Sequence, residues 1–447
     1  MKRLILSLTI SLCALAASAQ IRTAYFMEGS YFRSDMNPAL IPDRGYFTVP
    51  VISGLGMGIN NNFLSVDNFI YSRDGETVTA LDSRVGTSEF IDKLPKNGHF
   101  DFNANINLFS AGFSTRKMFW NFGANVRANV DMNVGKNLFY AMKNIGNGTY
   151  DLSSVSFDGS AYSEIYVGAC RPIFDWLRVG ARAKGLIGIV NVGADLREGT
   201  FAVTRSEIGA DMHGVVRGSG IIINPDYTVG KDAELGTLLA DGVRLNNLRS
   251  GGIAFDLGAE ASLLMDHLKV SIGITDLGFI SWSKEAAASA DLRYGLDFRG
   301  VDFKTGEVNM ESTNQITTNA PQGYTRRLNT TINIGVEYNL LNNWIAFGLL
   351  SHTEFRQLYT ISELTASANF RIGKHFTTTL SHTFCGRNRA GIFGFALNVH
   401  TVGANLFLGT DYIDTTYVPA GSMLCPKYQK SFCYYIGLGF NLGENKF

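Results

Sequence analysis

From Trp120 to Val134 the chain alternates without a break. Trp120, Phe122, Ala124, Val126, Ala128, Val130, Met132 and Val134 are apolar, and Asn121, Gly123, Asn125, Arg127, Asn129, Asp131 and Asn133 lie between them. Period two is an extended strand whose two faces meet different media. Strands of soluble sandwiches usually stop after about five or six residues. These fifteen residues, at about 3.3 Å each, reach nearly 50 Å, or about 38 Å along the axis of a barrel with strands tilted near 40°. That exceeds the ~25 Å apolar band of an outer-membrane barrel and leaves length for the rims. The pattern predicts even positions toward lipid and odd positions toward a wet lumen.

The same alternation recurs. Phe100, Phe102, Ala104, Ile106 and Leu108 oppose Asp101, Asn103, Asn105 and Asn107, and Ile332, Ile334, Val336 and Tyr338 oppose Asn333, Gly335 and Glu337. Strands are predicted at 46–59, 99–113, 118–134, 160–171, 176–192, 252–265, 268–283, 327–339, 343–355, 359–371, 375–386, 390–398, 401–411 and 431–443. Tight polar turns near 114–117, 172–175, 266–267, 340–342, 372–374 and 399–400 alternate with mostly longer connections, as periplasmic turns alternate with outer loops. The reading is an all-β, transmembrane antiparallel β-barrel of 14 strands, an even number that puts both termini on the periplasmic side. Segments 200–218 and 288–304 read as hairpin arms within outer loops; if they span, the count is 16. Segments 81–94 and 136–146 have helical spacing and are too short to cross a bilayer, so they are expected to cap the mouth or lie at the interface, against the simpler reading of ordinary loop packing.

Composition adds an export route. Lys2 and Arg3, an apolar run to Ala17 and the small residues Ala17-Ser18-Ala19 form a signal peptide over 1–19. Leu12 is too large for the position before a lipidated Cys13, so ordinary export is expected. Beyond the signal no apolar run is long enough for a spanning helix. Thirty-nine basic and 39 acidic residues cancel, which argues against nucleic acid as a partner. Outer-membrane lipid is the partner the pattern implies, in a Gram-negative outer membrane.

Residues 20–45 precede the first strand, and the barrel then fills 46–447. Tyr25, Phe26, Met27, Tyr31, Phe32, Leu40 and Ile41 make this extension too apolar for a free tail, and the barrel interior is the nearest place to bury it. Asn37 followed by Pro38 predicts a helix N-cap with Pro at the first helical position, stopped by Pro42.

Asn37, Pro38 and Ala39, shortly after a signal peptide and before a fourteen-stranded barrel, resemble the motif of FadL-type long-chain fatty acid transporters. Relatives of that family include a component of a Gram-negative secretion machine. The resemblance implies an N-terminal hatch plugging the lumen and passage of substrate through a gap in the wall. The segment 251–282, with Gly252-x-x-x-Asp256-x-Gly258 and Asp276-Leu277-Gly278-Phe279-Ile280-x-Trp282, resembles an uncharacterised branch of such barrels. Phe447 ends the chain as an aromatic does in many barrels, but out of phase with Phe440 and Leu442.

Reactive residues do not assemble into an enzyme. In Ser351-His352 and Ser381-His382 the neighbours point to opposite faces of a strand, so neither pair is a dyad. His382 shares parity with Leu380 and Phe384 and is expected on the outer face. The histidines are scattered and no acidic loop has calcium spacing, so no metal and no cofactor is expected. Cys170, Cys385, Cys425 and Cys433 lack metal spacing; Cys425 with Cys433 could form a loop disulfide, and free thiols are the simpler reading. Asn103, Asn105, Asn121, Asn125, Arg127, Asn129, Asp131, Arg178, Arg182 and Lys184 are expected to line the lumen, their charges paired with Glu and Asp across the barrel.

Two functions fit. One is a FadL-like channel for small hydrophobic molecules. The other is a structural or partner-binding barrel of a secretion or surface-assembly complex, using the long loops 193–251 and 284–326. They separate on whether the lumen offers an apolar surface, which on the inward strand positions alone it does not.

Overall fold

A computed structural model describes residues 22–49, 54–144, 148–203, 208–220, 249–301, 308–373, 375–385, 393–420, 423–428 and 430–444. The signal segment 1–19 and Phe447 lie outside them.

Fourteen antiparallel strands close on themselves. They are β1 (Arg44–Thr48, resumed at Leu55–Asn61), β2 (Asn97–Thr115), β3 (Met118–Gly135), β4 (Ser156–Phe174), β5 (Leu177–Val203), β6 (Gly251–Leu263) and β7 (Leu268–Trp282). The second half is β8 (Tyr324–Arg327 with Thr330–Leu340), β9 (Ile345–Phe355), β10 (Thr360–Ile372), β11 (Phe376–Cys385), β12 (Phe393–His400), β13 (Ala404–Ile413) and β14 (Ser431–Glu444). Each pairs with the next, and β14 pairs with both β13 and β1, Phe440 standing opposite Ala404 on one side and Phe47 on the other. Closure removes the unpaired edge that a lipid environment cannot satisfy.

The two faces fall as the alternation requires. On β3, Asn121, Asn125 and Asp131 are buried inside while Phe122 is exposed outside, and on β8 Asn333 and Glu337 are inside against exposed Ile334, Val336 and Tyr338. Stacked Phe174 and Trp176 mark the rim at the short-turn end, where aromatic girdles meet water.

The described residues of segments 200–218 and 288–304 do not span. β5 runs on above the rim and pairs there with Ile208–Ser219, which pairs with Ala287–Val301, which pairs with Val308–Asn319. These arms are loop structure, and the count stays at fourteen. The helices are shorter than the spacing predicted: α1 (Val66–Phe69), α2 (Thr87–Ile91) and α3 (Lys136–Lys143). Within 81–94 only one turn forms, because Gly86 starts the helix without a side-chain cap and the chain leaves it at Asp92. The mouth cluster around Phe63, Tyr71, Phe90 and Phe139 holds α2 and α3 together.

Candidate functional site

The N-terminal segment lies inside the barrel. From Arg22 to Ile41 it is buried almost throughout, as two short 3-10 turns, Arg22–Ala24 and Tyr31–Asp35, joined by irregular chain. Ser30 caps the second turn by accepting from the Phe32 amide. The helix expected at Asn37-Pro38 is absent. Asn37 Oδ1 accepts from the Ala39 amide at 2.9 Å, as an N-cap would, but only one turn closes, through Leu40 N to Asn37 O at 2.9 Å. With Pro42 four residues beyond Pro38, too few residues remain for a helix.

Glycines on the wall make room for this turn. A Cβ on Gly258 would stand 2.0 Å from Asn37 Oδ1, and one on Gly180 would stand 2.3 Å from the Pro38 carbonyl oxygen. Asn37 Nδ2 donates to the Tyr25 hydroxyl at 3.2 Å, and Asn333 Nδ2 donates to Met36 O at 3.1 Å. Pro38 lies over Gly180, and Ala39 is fully buried beside Cys170.

Three ionic anchors tie the segment to the wall. At the upper end the Arg22 guanidinium meets Glu363 at 2.8 Å, and the Arg22 and Thr23 amides donate to Asp411 at 2.8 and 3.0 Å. In the middle Arg182 meets Asp35 at 2.9 Å, donates to Ser34 O at 3.1 Å and lies over the Tyr166 ring. At the short-turn end Glu28 pairs with Lys269 and with Arg371 at 3.2 Å. Burial alone would raise the Glu28 pKa, but Lys269, Arg371 and Arg33 outweigh it and bring it down to about 2. The segment's rings add an apolar seat. Phe32 lies between Phe407 and Tyr435, its centroid 5.3 and 3.9 Å from theirs, within a cluster that includes Phe26, Met27, Leu40 and Leu350.

Charged and amide side chains on the inner face form two networks. In the first, Arg127 bridges Glu164 at 3.1 Å and Asp276 at 3.0 Å, and Lys184 bridges Asp256 at 2.9 Å and Asp276 at 2.6 Å. Asn125 donates to Glu164 at 2.6 Å, Arg178 pairs with Glu260 at 3.2 Å, and Asn121 is buried close to Gly168. Arg127 on β3 reaches Asp276 on β7, Arg178 finds Glu260 on the adjacent strand, and Lys184 joins Asp256 on the adjacent strand and Asp276 one strand beyond. In the second network Arg356 donates to Asp131, to Glu354 at 2.6 Å and to Asn103 Oδ1 at 2.9 Å. Between the networks a polar cavity of about 70 Å³ is lined by Arg22, Asp35, Asn103, Asn105, Arg127 and Asn129 among others. Below the segment, a vestibule of about 540 Å³ opens at the short-turn end between Glu28, Tyr31, Trp344 and His400.

Asp256 and Asp276 stand in the glycine-containing motif of 251–282, and alternation alone does not mark them as a charge site. Asp276 sits at a bulge between β6 and β7 with φ +61°, a conformation Asp tolerates better than most residues, and its amide donates to Asp256 at 2.8 Å. The bulge turns an out-of-phase carboxylate inward. The motif's other residues serve close packing: a Cβ on Gly278 would meet Ile253 O at 2.2 Å, and buried Trp282 fills the space over Gly188. The signal was two carboxylates beside glycines, in strands whose one other acid is Glu260.

The reactive pairs stay apart. His352 is inside, its Nδ1 2.7 Å from Asn333 Oδ1, and Ser381 is inside, 2.6 Å from Thr23. His382 is on the outer side between Phe384 and Phe393. Cys433 is a free, fully buried thiol, so the loop disulfide with Cys425 is not formed, and Cys170 is also free.

Solved structures similar to this chain include the toluene transporter TbuX of Ralstonia pickettii, with 8% identity over 96% of this chain and 95% of that one and a TM-score of 0.39. The P. putida toluene transporter TodX gives 9% identity, 96% and 100% coverage and 0.40, and a Pseudomonas aeruginosa FadL homologue gives 8%, 96% and 98%, and 0.43. No curated protein matches. The chain belongs to the family of unknown function DUF5723, whose model matches residues 38–411, from the proline of the Asn37-Pro38-Ala39 turn to the aspartate that holds Arg22.

Proposed function

We propose that this chain is an outer-membrane channel for small hydrophobic molecules, of the FadL type, exported by its signal peptide and closed by its own N-terminal segment acting as a hatch. The observation that carries this reading is the apolar seat of the segment. The inward strand positions are mostly Asn, Gly and charge, but Ala396, Phe407, Tyr412 and Tyr435 form a greasy strip on β12 to β14, Leu350 stands apart on β9, and the segment's Phe26, Met27, Phe32 and Leu40 join them in one cluster. Withdrawing the hatch uncovers an apolar track beside a polar lumen, between the aromatic cluster at the mouth and the vestibule below. Hydrophobic solutes would follow that track, and the ionic anchors would set how readily it opens. Asn37, Pro38 and Ala39 act here as the contact between hatch and wall.

The test is uptake of a radiolabelled fatty acid or a similar apolar probe into cells making the protein, Pro38→Gly, or a deletion of 22–41. Barrel-dependent uptake that changes with the hatch supports the channel. No uptake by a folded, heat-modifiable barrel in any of the three sinks it, and favours a partner-binding barrel that works through its outer arms.

A further inference from the structure

Most outward positions of the wall are apolar, and on β4 the pattern has one charged exception. Ile165, Val167 and Ile173 point outward and are exposed, and so does Arg171. A charge on the lipid face of a barrel is costly in proportion to its depth. Arg171 has no ion-pair partner among the described residues. It stands three positions above Phe174, whose ring stacks on Trp176 at the short-turn rim. That is about 10 Å along the strand at ~3.3 Å per residue, so its long side chain can bring the guanidinium back to the head-group level.

Arg171 also edges a depression in the outer wall. A hollow of about 400 Å³ is lined by Met118, Ala169, Val179, Ala181 and Leu257, with Gly180 and Gly258 at its floor. Around it the wall carries large side chains such as Phe122, Val167 and Phe255, so the hollow is a gap in an otherwise full belt. The strands beneath stay paired, Cys170 opposite Gly180 and Gly180 opposite Gly258, so it is a groove and not a hole. Only lipid reaches a groove on this face.

We propose that the groove binds one glycerophospholipid of the periplasmic leaflet, with an acyl chain over Ala169, Ala181 and the Gly180–Gly258 pair and its phosphate on the Arg171 guanidinium. The charge-assisted fork of arginine suits a phosphate diester. The floor of the groove is also the seat of the hatch, since Pro38 and Asn37 press on Gly180 and Gly258 from inside. A chain lying outside and the Asn37-Pro38-Ala39 turn inside therefore share one layer of wall. The proposal rests on the barrel lying in a membrane and not on what the lumen carries.

The test uses the full chain purified in mild detergent, delipidated, and titrated with palmitoyl-oleoyl phosphatidylglycerol while bound lipid is counted by native mass spectrometry. One lipid should bind. Arg171→Gln should weaken it about tenfold, the scale of one hydrogen bond to a charged group. Ala181→Phe, which fills the groove, should remove the bound lipid, and Val167→Phe, on the same face outside it, should change nothing. A diacylglycerol with the same chains should bind as weakly as the phospholipid binds to Arg171→Gln, and inorganic phosphate should not compete. The proposal is overturned if the natural chain retains no lipid, if Arg171→Gln and Val167→Phe bind it equally, or if inorganic phosphate displaces it. If Ala181→Phe fails to give a heat-modifiable barrel, Arg171→Gln decides alone. Loss of lipid binding with unchanged hydrophobic uptake would leave the channel reading standing.

Discussion

Gly180→Ala is the smallest change that should unseat the proposed hatch. The added methyl would lie 2.3 Å from Pro38 O, 2.4 Å from its carbonyl carbon and 2.7 Å from the Ala39 amide nitrogen. All three are backbone atoms, so no rotamer change relieves the overlap. Ordinary contact begins at 3.4 Å, so the turn must retreat by about 1.1 Å, the difference between 3.4 and 2.3 Å. Arg182 holds Asp35 just before the turn, the first strand holds the chain from Arg44 after it, and Pro38 has little backbone freedom to yield. Overpacking of this kind costs about 1–3 kcal/mol. Borne by the closed state alone, that raises the open-to-closed ratio by about 5- to 150-fold. The assay is conductance of the purified protein in planar bilayers, where Gly180→Ala should open more often than the natural chain. Gly185→Ala, on the same strand, is the control, because its methyl would meet nothing nearer than Ile165 O at 3.9 Å. If Gly180→Ala matches the control in both conductance and unfolding temperature, Pro38 does not seat on Gly180 and the hatch argument is wrong.

Four further outcomes follow from the same geometry. Phe32→Ala removes the ring held between Phe407 and Tyr435 and should cost about 3–5 kcal/mol of hatch docking, read as higher conductance and faster proteolysis within 22–41. Arg182→Gln leaves Asp35 and buried Asp256 without their guanidinium and should destabilise by about 3–5 kcal/mol in urea unfolding, with Asp35→Asn milder because Asp35 is partly exposed. At Asp276, Asn should be tolerated better than Val in heat-modifiability assays, since Asn accepts φ near +61° and a β-branched residue does not. Glu28 has a folded pKa near 2 against 4.5 unfolded, so its anchoring is fully present above about pH 4.5 and fades as pH falls toward 2. Closed-state conductance should therefore be flat from pH 7 to pH 5, and a Glu28-dependent rise in that window would refute the anchor.

The strands were legible because alternation is local: each residue's polarity is dictated by the medium its face meets, whatever strand lies beside it. Trp120 to Val134 shows this. The inward direction of Arg127, Arg182 and Lys184 came from the same phase. Where the pattern is interrupted the sequence was weaker. A helix was expected from Asn37-Pro38, since local capping chemistry permits one, but the cradle of Gly180 and Gly258 lies far away in sequence and accepts only a turn.

What the sequence determined by itself is the barrel: fourteen strands or sixteen, the two faces, and an N-terminal segment too apolar to stay in water. Only the tertiary structure decided which charges meet. Arg127 finds Asp276 at a separation of 149 residues, and Arg22 finds Asp411 at 389. Those pairings depend on closure, on register and on the bulge that turns Asp276 inward, none of which leaves a periodic trace in the chain. The apolar strip in the lumen is hidden for the same reason. Its residues come one or two to a strand, and only closing the wall around the hatch brings them together.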